Sequence, residues 1–190
     1  MPVSTPDVVP ELVSRALHQS LVTGWLQTTR NETGRLLATL AAGRRGTVAE
    51  AGTGSGAGVA WLRSGAWADT HVVCVERDAE RAARARETLE GSDIEVLDGG
   101  CDTLRSRAPF SLLYMNRRTA EHVDRDLAWE LVEASGIVVI DDFEPSSEWP
   151  PREFCGAVDT LRRSWLTDER FASTEVAVAP DLAVVLAVRR

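Results

Sequence analysis

No lysine occurs anywhere in the 190-residue chain; all 21 basic residues are arginine. That absence removes a Schiff-base lysine, the phosphate-binding lysine of a P-loop and a lysine general base. Arginine cannot stand in for them, because its guanidinium stays protonated at any working pH. Cysteine is scarce as well. Cys74, Cys101 and Cys155 are odd in number, far apart and form no CxxC pair. They read as reduced thiols in a cytoplasmic protein, not as a disulfide framework or a zinc site. No apolar run approaches the ~20 residues that a membrane span needs. Residues 1–20 lack the basic start and apolar block of a secretory leader. Positive charge is also in deficit: the net charge of −8 argues against nonspecific binding to nucleic acid or to anionic membranes.

The remaining composition is that of a folded globular chain, with 44% hydrophobic and 26% charged residues. The length suits one domain that buries roughly 70% of its unfolded surface. Leu12, Val13, Ala16, Leu17 and Leu21 mark one helical face, and Leu36, Leu37, Leu40 and Ala41 another. Asn31 reads as the N-cap of the second helix and Gly43 as its stop. From Thr47 onward short apolar runs recur at 47–51, 71–76, 94–97, 110–115 and 137–141, separated by helical patterns, notably 79–90 and 121–134. Gly91 and Gly136 stand where those two helices are expected to end. This alternation implies an open α/β sheet, doubly wound and Rossmann-like, with parallel strands covered on both faces. Phe154, Val158, Leu161 and Trp165 then predict a last amphipathic helix. Two further strands, 171–178 and 182–188, are too close in sequence for a helical crossover, so they are expected to form an antiparallel hairpin.

The strongest motif is Glu50-Ala51-Gly52-Thr53-Gly54-Ser55-Gly56. A strand ends in an acid, and three alternating glycines then open a helix. Glycines tolerate positive φ and let a ligand approach the backbone, and the helix N-terminus offers free N–H donors. Gly52, Gly54 and Ala57 satisfy the dinucleotide pattern GxGxxG/A, while E-x-G-x-G-x-G also fits S-adenosyl-L-methionine (SAM). Glu50 separates the two: its charge repels a pyrophosphate and attracts the ammonium of a methionine moiety. Glu76, at the end of the next strand, suits the ribose hydroxyls of either cofactor; the structural alternative is that it caps a helix or pairs with Arg77.

At these residues the chain resembles the class I SAM-dependent O-methyltransferases of the catechol and caffeoyl-CoA type, including their small bacterial members. The resemblance runs from about Asn31 to Arg190. It is carried by Thr33-Gly34-Arg35-Leu36-Leu37, by the 49–56 loop and by Leu166-Thr167-Asp168-Glu169-Arg170-Phe171 with the final strand. It implies a seven-stranded sheet with one antiparallel strand, forming one domain over 1–190 whose N-terminal helices (1–43) cover the cleft. By position it assigns Glu50, Gly52, Thr53, Gly54, Ser55 and Gly56 to the methionine portion of SAM. Glu76 goes to the ribose and Gly99, Gly100 and Cys101 to the adenine, with Arg77 and Asn116 also at the cofactor.

The catalytic positions depart from the family pattern. Asn116 replaces the first metal-binding aspartate and Thr119 the catalytic lysine, while Asp141 and Asp142 stand where the family has Asp-Asn. Asn116, Asp141 and Asp142 are therefore the candidate ligands for Mg²⁺, a hard cation that accepts such oxygens; flanking Arg117 and Arg118 are the competing occupants. His122 and Asp142, with Glu144, are the candidate bases. Trp25 and Trp149 are candidates for lining an aromatic acceptor site, whereas Trp61, Trp129 and Trp165 are expected in the core. The implied activity is O-methylation of a small molecule. Two alternatives stand beside it: a catalytically silent SAM-binding regulator, and a less favoured NAD(P)-binding reductase. The expected partners are a small-molecule acceptor and a second copy in a homodimer, with no nucleic acid and no membrane.

Overall fold

The structure, a computed structural model, describes residues 8–190. The first seven residues of the stretch read as lacking a leader lie outside the described residues. Two helices come first, α1 (Glu11–Thr23) and α2 (Asn31–Ala42). The alternating region follows as β1 (Val48–Ala51), α3 (Ala57–Gly65), β2 (Val72–Glu76), α4 (Ala79–Thr88), β3 (Ile94–Asp98), a 3-10 turn (Cys101–Ser106) and β4 (Phe110–Asn116). It continues through α5 (Arg117–Ala120), α6 (Arg125–Leu131) and β5 (Val132–Phe143), and the chain closes with α7 (Thr160–Leu166), β6 (Phe171–Ala179) and β7 (Leu182–Arg189).

The seven strands form one sheet in the order β3-β2-β1-β4-β5-β7-β6. All neighbouring pairs from β3 to β5 are parallel, and β7 runs antiparallel to both β5 and β6. The doubly wound sheet and the terminal hairpin are thus as the apolar runs predict. The chain moves outward from β1 to β3, then returns to the other side of β1 for β4. That reversal leaves a crevice beyond the carboxyl ends of β1 and β4, where open α/β sheets bind ligands.

Strand alternation divides the interior into two cores. Ala49, Leu113, Met115, Val138 and Ile140 face the layer that holds Leu131 and Trp165. Val48, Leu112, Tyr114 and Val139 face the layer of Leu37, Trp61 and Ala85. Because side chains alternate every residue, Glu50 lies on the same face as Val48, and Asp141 on the same face as Val139. Glu50, Tyr114 and Asp141 therefore all point towards the α2–α3 side of the sheet.

Several local expectations are corrected. Arg30 is the N-cap of α2, with Asn31 its first helical residue. Leu21 is 74% exposed; Val13, Ala16 and Ser20 form the buried face of α1. The helix expected over 121–134 ends at Leu131, and Gly136 lies inside β5. A Cβ there would approach the carbonyl oxygens of Phe110 and Glu133 to 2.8 Å, so the position serves close strand packing and not a helix stop. The last helix starts only at Thr160, capped by Asp159, which leaves Phe154 92% exposed in the preceding loop. Trp61 and Trp165 are buried, and Trp129 packs against the core. The three cysteines are free thiols. Among the described residues no helix is long and apolar enough to cross a membrane.

Candidate functional site

The crevice at the sheet reversal is a cavity of about 1100 Å³. Its floor starts at Glu50, the third residue of β1, where a buried strand delivers a carboxylate to the mouth of the glycine turn. Glu50 is 3% exposed and accepts a hydrogen bond from the Val59 N–H of α3 at 2.9 Å. Burial pushes its carboxyl well above the usual range; the Val59 bond opposes that shift and the charge of Glu76 adds to it. Gly52 follows with φ +84°, and a Cβ there would come within 2.4 Å of Thr119 Oγ1. The turn thus needs glycine both for its left-handed backbone and for the approach of α5.

Gly52, Thr53, Gly54 and Ser55 all line the cavity, and Gly56 does not. Gly56 caps α3 at φ +89° and faces Leu89. Glu76, 5% exposed, lines the next stretch of wall. Its Oε2 accepts from Gly54 N–H, and its Oε1 from Asp78 N–H and Arg81 Nη2, each at 3.0 Å. Its arginine partner is therefore Arg81 of α4, whereas Arg77 lines the cavity at the surface. Three of about four acceptor sites on the carboxylate are filled, which leaves one for a ribose hydroxyl. Gly99, Gly100 and Cys101 complete this end, and burial raises the Cys101 thiol to about 11.

At the other end lie Tyr114 and Asn116 of β4 and Asp141 and Asp142 of β5. Tyr114, the only tyrosine in the chain, is 2% exposed. Its hydroxyl donates to Asp141 Oδ2 at 3.2 Å and shares a 2.9 Å hydrogen bond with Thr29 Oγ1. Asp141 Oδ1 accepts from Thr33 Oγ1 at 3.0 Å and from the Asp142 N–H. Burial raises the Asp141 carboxyl to about 6, against the lowering effect of these donors. The Tyr114 hydroxyl is raised as well, by burial first and then by the charges of Asp141 and Glu50.

Two of the three proposed Mg²⁺ ligands, Asn116 and Asp141, are engaged by protein donors. Asn116 Oδ1 is occupied by the Thr119 N–H at 2.8 Å as the cap of α5. Asp141 accepts three protein donors, from Thr33, Tyr114 and the Asp142 N–H, with which a cation would have to compete. Among the described residues no cluster of three or more histidine, cysteine or acidic side chains could hold an ion. The flanking arginines do not take the place of the metal either. Arg117 turns to Asp159, Glu153 and Glu121, and Arg118 bonds the side chain of Gln27.

The segment between α1 and α2 forms the outer wall, and of its residues the sequence reading singled out only Trp25. Residues 25–30 all line the cavity. The Trp25 indole approaches Gly54, stacks at 4.9 Å under the Arg81 guanidinium and donates to the Gln27 carbonyl. Thr28 bonds Ser55 at 3.2 Å, Thr29 bonds Tyr114, and Arg30 pairs with Asp181 at 2.9 Å. His122 and Asp142 both line the cavity. Trp149 does not; it is 67% exposed on the loop after β5. Tyr114 was the principal omission. Its signal was the register of β1 and β4, which sets Tyr114 directly beside Glu50.

No protein-family model matches the chain, and no curated protein matches it in sequence. Its fold does match solved structures. A methyltransferase from Geobacter sulfurreducens is 18% identical, with a TM-score of 0.73 over 97% of this chain and 90% of that one. The O-methyltransferase TomG from Streptomyces achromogenes, involved in tomaymycin synthesis and solved with SAM, is 19% identical, with a TM-score of 0.73 over 96% and 92%. An O-methyltransferase from Bacillus cereus, solved with SAH, is 16% identical, with a TM-score of 0.70 over 97% and 93%. The chain has the Rossmann-like fold of these proteins, the fold that the sequence resemblance implied.

Proposed function

We propose that the chain is a SAM-dependent methyltransferase that methylates an oxygen of a small molecule, as one domain whose N-terminal helices cover the cleft. The observation that carries this reading is Glu50: a buried carboxylate below the glycine turn, on the cavity floor, held by one backbone N–H and by no arginine. A pyrophosphate above that turn would meet a negative charge in a low-dielectric wall, whereas an α-ammonium would neutralise it. The one free acceptor site on Glu76 and the Gly99–Cys101 wall then suit ribose and adenine, and the neighbouring structures solved with SAM and SAH agree with that assignment.

SAM supplies a methyl group already activated on a sulfonium, so the chain has to bind, orient and exclude water. Glu50 and the 52–55 backbone position the methionine portion, and residues 25–30 shield the cavity. His122 or Asp142, both in the cavity wall, takes the acceptor's proton. Because Asn116 and Asp141 are engaged by protein donors, no step of this reading is routed through a metal. The acidic chain favours a small acceptor over nucleic acid.

Calorimetry tests the reading directly. SAM and its demethylated product SAH should bind and NADPH should not. Glu50→Gln should weaken SAM by about 10- to 100-fold through loss of a buried charged contact. Binding of NADPH without SAM would overturn the assignment. Transfer of a labelled methyl to a panel of small hydroxylated acceptors should proceed equally with Mg²⁺ and with EDTA.

A further inference from the structure

Four carboxylates are buried among the described residues: Glu50, Glu76, Asp141 and Asp159. Two have arginine counterions. Glu76 pairs with Arg81, and Asp159 with Arg117 and Arg162. Glu50 and Asp141 have none; every donor to them is neutral, namely the Val59 N–H for one and Thr33, Tyr114 and the Asp142 N–H for the other. Of the three buried acids that line the cavity, Glu50, Glu76 and Asp141, two have no arginine partner among the described residues of a chain with 21 arginines.

Their placement is shared. Both lie on the α2–α3 face of the sheet, and Tyr114 stands between them on the intervening strand. One point in space shows how close they come. A Cβ built on Gly58 would lie 2.1 Å from Glu50 Oε1, 2.5 Å from Tyr114 Cε1 and 2.9 Å from Thr29 Oγ1, and the hydroxyl of that same Tyr114 bonds Asp141. A buried charge without a counterion costs several kcal/mol; the acid escapes that cost by holding a proton, or keeps its charge when a ligand brings the opposite one.

We infer that the cavity is built for a ligand with two positive charges: Glu50 meets the α-ammonium of SAM, and Asp141, held by Tyr114, meets its sulfonium. The inference rests on the SAM reading above and adds a specificity-determining role for Asp141. The two cationic centres of SAM are separated by three carbons, which suits two acids on adjacent parts of one wall. Transfer of the methyl group converts the sulfonium to a neutral thioether and leaves the Asp141 carboxylate without its counterion. The site therefore discriminates against its own demethylated product and favours its release.

The test measures dissociation constants at one pH, near 7.5, for three ligands on the full chain: SAM, SAH and sinefungin, which carries an amine in place of the sulfonium. In the wild-type chain SAM and sinefungin should each bind about tenfold more tightly than SAH, the scale of one partly screened charge pair. Asp141→Asn should collapse that preference to about twofold or less while SAH affinity stays near its wild-type value, and Asp141→Glu, which keeps the charge, should retain most of it. SAH binding as tightly as SAM to the wild-type chain overturns the inference, whatever the variants do. So does an Asp141→Asn chain with the full preference, or a preference lost equally in Asn and Glu variants, which would make shape and not charge the cause. Failure of all three ligands to bind the wild-type chain would instead remove the SAM reading itself.

Discussion

Gly58 leaves no room for a side chain where Glu50, Tyr114 and Thr29 converge. None of these neighbours is a flexible surface group, because Glu50 and Tyr114 are buried and bonded. Gly58→Ala should therefore destabilise the chain by about 1–3 kcal/mol, the usual cost of overpacking, and weaken SAM binding in the same protein. Thermal denaturation and calorimetry check both effects; an unchanged melting temperature would mean that the helix shifts to make space. At this scale the sequence showed one half of the site. Glu50 was legible because an acid two residues before an alternating glycine run is a local pattern. Tyr114 was not, because nothing in its own neighbourhood says which strand lies beside it. Its role depends on the pairing Glu50↔Tyr114 and on a hydrogen bond to Asp141, 27 residues away.

Elements were legible where periodicity and length agreed, as in α4 and the terminal hairpin, and misread where they conflicted. Val132 continues the apolar pattern of α6, yet it pairs with Phe110 and opens β5. A short apolar run cannot be assigned to helix or strand by period alone, and here a neighbouring strand decides. The loop between β5 and α7 was equally opaque, since it is organised by a distant residue. Arg162 of α7 is fully buried and donates to the carbonyls of Glu144 and Arg152, while Asp159 caps α7 and pairs with both Arg162 and Arg117. Asp159→Ala removes the cap and leaves two cations without their shared anion. It should cost about 3–5 kcal/mol, read from urea denaturation; a loss of less than about 1 kcal/mol would mean that Glu153 and Glu175 compensate.

For the molecule as a whole, the uncompensated acids make ligand-free stability depend on pH in an unusual direction. The Asp141 carboxyl is raised from 3.8 to about 6 in the folded chain. Between those values the folded state holds a proton that the unfolded state has released, so stability falls as pH rises through this window. The penalty is complete above about pH 6. A shift of this size corresponds to about 3 kcal/mol. Urea midpoints should therefore drop between about pH 4.5 and pH 7 in the ligand-free chain, and much less in Asp141→Asn. Equal slopes in the two proteins would assign the dependence to other groups. Saturating SAM should flatten the wild-type profile, because a cationic ligand favours the ionised site.

The wall formed by residues 25–30 carries one more consequence. Its centre is fastened by side chains alone: no backbone hydrogen bond joins residues 26–29 to another described residue, whereas neighbouring β4 is laddered on both sides. Amide deuterium uptake should therefore run at two clocks within one site. The 26–29 amides exchange within seconds in the free protein, and those of β4 wait for global unfolding. A ligand that seats the wall should slow the fast clock first, so a single short peptide spanning these residues reports occupancy of the cavity before any product has formed.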